Sequence, residues 1–151
     1  MIPPEPLPEA EERRVLAASI RQLPDTAAFA REFCMRHALP GQLALRLTLV
    51  LEELFTNTVD HGHQGDSAAS VVITLRRDAD AVHLLYEDEA PPFDPLAAAR
   101  SAHTVLGLPA EERPIGGLGL PLTLGMALNA NYAYEDGRNR LRLAFDAQHR
   151  A

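Results

Sequence analysis

Between residues 42 and 62 apolar positions recur every three or four places. Leu47, Val50, Leu51, Leu54 and Thr58 fall on one stripe of a helix that turns about 100° per residue. The segment predicts one long helix that stops near Gly62, where a glycine suits a C-terminal cap. From Asp25 to about Ala38 the same spacing runs through Ala28, Phe29, Phe33 and Cys34, with Asp25 at the expected N-cap and Pro40-Gly41 as punctuation. Elsewhere the period changes. Residues 70–77 (SVVITLRR) and 81–87 (AVHLLYE) are rich in β-branched and aromatic residues, and the short polar stretch between them predicts a hairpin. NYAYE (131–135) and RLRLAF (140–145) predict a second hairpin around Asp136-Gly137, a pair suited to a tight turn. Residues 13–21 supply a first strand. Residues 1–12, with Pro3, Pro4, Pro6 and Pro8 among acidic residues, read as a disordered tail. A proline-rich break follows Asp88, residues 96–115 are alanine-rich and then loop-like, and GGLGL opens a helix over about 119–128.

The predicted order is strand, two helices, two strands, a variable stretch, a helix and two strands. Strands joined by hairpins, with helices in separate blocks, imply an α+β two-layer sandwich with helices on one face of a mixed, mostly antiparallel sheet. At 151 residues the chain suits a single domain, expected over 13–148. With 46% apolar and 23% charged residues, it has the profile of a globular protein. A net charge of -7, from 14 basic and 21 acidic residues, argues against a nucleic-acid backbone as the main partner. Cys34 is the one cysteine, so no intramolecular disulfide forms. The absence of an apolar signal segment or a bilayer-length apolar run leads to the expectation of a cytoplasmic chain with no membrane association.

Three segments carry candidate chemistry. In LVLEELFTNTVDHG (49–62), Glu53, Asn57 and His61 follow at intervals of four along one edge of the apolar stripe. An amide oxygen such as that of Asn57 can bind a hard cation such as Mg²⁺, and a carboxylate such as Glu53 can accept a proton from a hydroxyl or water. Taken alone, the segment reads as readily as a solvated Glu53 and an Asn57 that caps something local. In YEDEAPPFDP (86–95), Asp88 stands where a strand ends, and its carboxylate can accept a hydrogen bond from an exocyclic amine; alone, it reads as a turn former. In RPIGGLGLPL (113–122), Gly116, Gly117 and Gly119 precede a helix, so backbone N–H groups can approach an anion, and Pro121 suits the first turn. No Gly-Lys-Ser/Thr follows, and no βαβ unit surrounds the glycines, so neither common phosphate fingerprint applies.

Together the segments are more specific. Glu53-x-x-x-Asn57-x-x-x-His61, then Asp88-x-x-x-Pro92-Phe93-Asp94-Pro95, then Gly116-Gly117-Leu118-Gly119-Leu120 resemble the ATP-binding fold shared by gyrase, histidine kinases and MutL. Within it the chain is most similar to the anti-sigma-factor serine/threonine kinases, whose last hairpin residues 134–141 also resemble. The resemblance covers nearly the whole chain from residue 13. It implies that Glu53 is the general base, that Asn57 binds Mg²⁺ bridging the ATP phosphates, and that Asp88 holds the adenine amine. It further implies that Phe93 lies in the nucleotide site, that His61 supports it, and that Gly116, Gly117, Leu118, Gly119 and Leu120 shape its phosphate end. Residues 96–115 would be a lid from which Arg113 reaches the phosphates. The implied partner is a STAS-domain anti-anti-sigma protein, with a sigma factor or other regulator held by a separate surface and homodimers as a family habit. Two positions depart from the family. Ala90 replaces a usual glycine, where a methyl group can crowd the base, and Asn129 replaces a frequent aspartate. The alternative is a non-catalytic or weakly ATP-binding module that keeps the partner surfaces. The catalytic half of a histidine kinase ranks lower, because residues 1–40 are too short for a dimerising hairpin and a strand.

Other polar residues attract simpler readings. Asp60, His61 and His63 lack the further His or Cys group that a zinc site needs. Cys34 reads as core, Asp80 and Asp136 as turn residues, and Tyr132 and Tyr134 as alternating strand residues.

Overall fold

A computed structural model describes residues 10–98, 124–125 and 127–148. Its elements are β1 (Ala10–Ala17), α1 (Leu23–Arg36), α2 (Gly41–Asn57), β2 (Ser70–Arg77), β3 (Ala81–Asp88), β4 (Asn129–Glu135) and β5 (Arg138–Asp146). The strands form one sheet in the order β1-β2-β3-β5-β4. The fold is α+β, as the pattern predicts, and all four pairings are antiparallel.

Alternation decides which sheet face is covered. On β3, Val82, Leu84, Tyr86 and Asp88 are buried, and on β5 Asn139, Leu141, Leu143 and Phe145 are buried. Register aligns them, with Leu84 opposite both Leu75 and Leu143, and Tyr86 opposite both Ile73 and Leu141. Against this face pack Phe29 and Phe33 of α1 and Leu47, Leu51 and Phe55 of α2 in one apolar cluster. Each such side chain removed from water contributes about 1.5–3 kcal/mol. Cys34 lies in the same core, and burial pushes its thiol up to about 11. No helix among the described residues is long and apolar enough to cross a membrane.

Two boundaries differ from the sequence expectation. β1 starts at Ala10 and ends at Ala17, which takes residues 10–12 out of the expected tail. Glu12 explains the difference: its carboxylate accepts hydrogen bonds from Nε and Nη2 of Arg36 at 3.1 and 2.5 Å and meets His37 Nε2 at 2.8 Å. These partners lie 24 and 25 residues away, so the acidic run looks solvated when only the chain is read. At α1 the N-cap is Gln22 rather than Asp25, because Pro24 fits the first turn and needs no N–H donor there. Asp25 sits inside that first turn, where a negative charge complements the helix dipole.

α2 ends as expected near Gly62, but through a wider turn. Thr58–Gly62 form a π-helical turn, in which the His63 N–H donates to the Thr58 carbonyl at 2.9 Å. That turn arrives at the end of the sheet where β3 finishes with Asp88, whose cross-strand neighbours are Val71 on β2 and Asn139 on β5.

Candidate functional site

Asp88 and Asn139 occupy core-facing places in their strands, where Val82, Leu84, Leu141 and Leu143 set the rule. Two polar side chains in such places need partners, since burial without hydrogen bonds costs several kcal/mol. They find them in each other. Asn139 Nδ2 donates to Asp88 Oδ1 at 2.8 Å, and both residues are 7% exposed. Asp88 Oδ1 also accepts the Ala90 N–H at 3.1 Å, which turns the chain as the strand ends. Asp88 Oδ2 accepts the Thr58 hydroxyl at 2.8 Å. The Thr58 hydroxyl in turn lies 2.7 Å from the Tyr86 phenol oxygen.

Asn139 also fixes the loop after β3. Its Nδ2 meets the carbonyls of Ala90 and Pro91 at 3.0 and 3.1 Å, and its Oδ1 accepts the Phe93 N–H at 3.0 Å and the Tyr132 hydroxyl. One amide thus holds both sides of a proline-rich loop that has no ladder of its own. The flanking glutamates point elsewhere. Glu87 pairs with Arg140 at 2.9 Å, and Glu89 with Arg138 at 3.1 Å. Asp94 closes the loop by capping the helical turn at residues 95–98, accepting the N–H groups of Leu96 and Ala97 at 2.8 and 3.2 Å.

These contacts enclose a cavity of about 550 Å³ between the end of α2, the ends of β3 and β5, and the 90–95 loop. Asn57, Thr58, His61 and Gly62 line it from the helix side, and Tyr86, Asp88 and Asn139 from the sheet side. Leu54, Leu141, Pro92 and Phe93 make its walls largely apolar. Asp88 is the one carboxylate in the lining among the described residues. Burial raises the Tyr86 phenol well above its usual range, so it stays protonated as a donor.

Of the residues singled out in the sequence, Asn57, His61, Asp88 and Phe93 come together around this cavity. Phe93 remains 51% exposed, so its ring has a free face beside the opening. Glu53 is half-buried one helical turn before Asn57, outside the cavity lining. Arg113, Gly116, Gly117, Leu118, Gly119 and Leu120 lie outside the described residues, as do residues 99–115 of the expected lid. The helix expected over 119–128 is described only at residues 124–125 and 127–128, and β4 takes over at Asn129.

Among the polar lining residues, Gln64, Tyr86, Tyr132, Asn139 and the Thr58 hydroxyl went unrecognised in the sequence. Asn139 carried a usable signal. In RNRLRLAF it takes the parity of the leucines, and a polar residue in an apolar alternation at the core face calls for a partner. Tyr132 carried none, because an aromatic residue is ordinary in a strand.

A search of curated proteins finds no match to the chain. The family model described as the histidine kinase-like ATPase domain matches residues 16–145. That span runs from the end of β1 almost to the end of β5 and takes in every residue lining the cavity. With its five-stranded sheet, its two packed helices and a match over most of its length, the chain belongs to the histidine kinase-like ATPase domain family.

Proposed function

We propose that this chain binds Mg-ATP and phosphorylates a serine or threonine of a small protein partner, as an anti-sigma-factor-type kinase. The observation that carries the nucleotide reading is the Asp88 carboxylate, buried at the floor of an apolar cavity and held by Thr58, Asn139 and the Ala90 N–H. Such a group suits an uncharged base with an exocyclic amine. The volume of about 550 Å³ falls within the usual ligand-pocket range of about 300–1,000 Å³.

The remaining roles follow the sequence resemblance. Asn57, which lines the cavity, offers an amide oxygen to Mg²⁺, an ion that prefers oxygen ligands and shares them with substrate phosphates. Bound there, the ion would neutralise charge on the phosphates. Glu53 would take the proton of the partner hydroxyl. The hydroxyl oxygen forms a bond to the γ-phosphorus while the bond to the β-phosphate oxygen breaks and ADP leaves. His61 and Phe93 would border the nucleotide. Arg113 and the segment Gly116, Gly117, Leu118, Gly119, Leu120 would meet its phosphates. The partner would be a STAS-domain anti-anti-sigma protein. Its phosphorylation would release it and free the chain for a sigma factor or other regulator.

A rival reading keeps the fold as a partner-binding module with little nucleotide affinity. Its support is the Ala90 methyl, which also lines the cavity. Titration of the protein with ATP, with and without Mg²⁺, separates the two. We expect Mg²⁺-dependent binding that weakens by at least about tenfold in Asp88→Asn, which places an amide where the amine needs an acceptor. Glu53→Ala is expected to keep that binding and lose transfer to a STAS partner by about a hundredfold or more. A wild-type protein that binds no ATP would favour the module.

A further inference from the structure

We infer that Thr58 and Tyr86 form a directed hydroxyl relay that positions Asp88 to discriminate for a 6-amino purine, an inference that rests on the reading of Asp88 as the base contact. A threonine hydroxyl has one proton to give and two lone pairs to receive with. Thr58 Oγ1 has three neighbours: the Leu54 carbonyl at 3.0 Å, the Tyr86 phenol oxygen at 2.7 Å and Asp88 Oδ2 at 2.8 Å. The first and third are acceptors. Tyr86 is fully protonated in its buried place, so its proton points to Thr58. The single Thr58 proton is then left for an acceptor, and a bond to the carboxylate is stronger than one to a neutral carbonyl. The order of donation runs from Tyr86 to Thr58 to Asp88.

That order sets what Asp88 can offer a ligand. A carboxylate has about four acceptor positions. Asn139 Nδ2 and the Ala90 N–H occupy those on Oδ1, and Thr58 occupies one on Oδ2. One acceptor position on Oδ2 remains, and Thr58 fixes its direction. With three donors already upon it, the carboxylate presents a ligand with an acceptor alone. A 6-amino group matches that position. A 6-oxo group presents oxygen to oxygen, and a 6-hydrogen presents nothing. Both relay residues are close to fully buried, with Thr58 5% and Tyr86 4% exposed.

Thr58 and Tyr86 are positioning residues, and the readout is base preference rather than affinity alone. Dissociation constants for ATP, inosine triphosphate and purine riboside triphosphate, which lacks the 6-substituent, are measured for wild type, Thr58→Val, Thr58→Ser and Tyr86→Phe. Wild type is expected to prefer ATP over purine riboside triphosphate by about tenfold, the worth of one well-placed hydrogen bond. Thr58→Val should reduce that preference to about twofold by weakening ATP, with the 6-hydrogen nucleotide almost unchanged, and Thr58→Ser should restore it. Tyr86→Phe should reduce it to about threefold. A wild-type protein without preference among the three nucleotides overturns the base contact itself. A wild-type preference that persists in a folded Thr58→Val overturns the relay alone. Should Thr58→Val not fold, Tyr86→Phe, which removes one oxygen and keeps the ring, decides the same point, and an unchanged preference there overturns the relay.

Discussion

A Cβ built on Gly62 would stand 2.7 Å from the Ala90 Cβ, closer than carbon atoms pack. Gly62 is read in the sequence as a helix stop, and it does close the π-helical turn. Its lack of a side chain has a second use that the chain alone does not reveal. The methyl of Ala90, the position noted in the sequence as departing from the resemblance, is buried against it. The departure at residue 90 is thus matched by a glycine 28 positions earlier. Two small residues share one space, and either of them can carry the methyl, but not both. Gly62→Ala is therefore expected to destabilise the fold by about 1–3 kcal/mol through overpacking. Ala90→Gly in the same chain should recover most of that loss, since the methyl then moves across the contact. Urea unfolding of the two single variants and the double variant measures the coupling. Additive losses would show that the two positions are independent.

Elements were the most legible scale, because the period of apolar residues is a local property. Both central helices, the β2–β3 hairpin and the Asp136-Gly137 turn stand where the pattern put them, and the last has φ of 54° and 74° at its two central residues. Boundaries set by distant partners were not legible, as Glu12 in β1 illustrates. The β2–β3 turn is an intermediate case. Its polar residues predicted a turn, with Asp80 as its marker, yet Asp78 organises it. Asp78 Oδ1 accepts the N–H groups of Asp80 and Ala81 at 2.9 and 2.8 Å, and Oδ2 meets His83 Nε2 from the next strand at 2.7 Å. The His83 bond first, and then the two backbone donors, hold the carboxyl down to about 2 from its ordinary 3.8. A depressed folded-state value stabilises the fold above the unfolded value, and that contribution disappears as pH falls through the folded one. Asp78→Asn should thus be less stable than wild type at pH 6. The gap should narrow as pH falls from about 3.8 to about 2. Denaturant midpoints across that window test it, and a gap constant with pH would exclude the carboxylate as its source.

At the scale of the whole molecule, the site is assembled by register. Asp88 and Asn139 lie 51 residues apart in the chain and opposite each other in the sheet, and the π-helical turn of α2 completes the cavity between them. The order of the three motifs, with the family resemblance it carries, singled out Asp88 and Asn57, and both line the cavity. It did not identify Thr58, Tyr86 or Tyr132 as lining residues, whose roles exist only once strands and helix meet. The same assembly makes ligand binding a property of the whole fold. Asp88 ties β3 to β5 and to α2 through Thr58, and both helices share one core with the sheet. A ligand that binds only this arrangement stabilises it by mass action, about 2.7 kcal/mol at a hundredfold excess over its dissociation constant. For a domain of this size that raises the melting temperature by about 5–10 °C. The wild-type protein is accordingly expected to melt several degrees higher in Mg-ATP than alone, with a smaller rise in ATP plus a chelator. Asn57→Ala should keep the chelator-insensitive part and lose the Mg²⁺-dependent increment, since it removes the oxygen offered to the ion but leaves Asp88 untouched. The comparison uses the shift on ligand addition, so any intrinsic change in stability from the substitution cancels. An Asn57→Ala protein that retained the full Mg²⁺ increment would move the metal ligand elsewhere, while a wild-type melting temperature indifferent to Mg-ATP at saturating concentration would remove the nucleotide from this cavity.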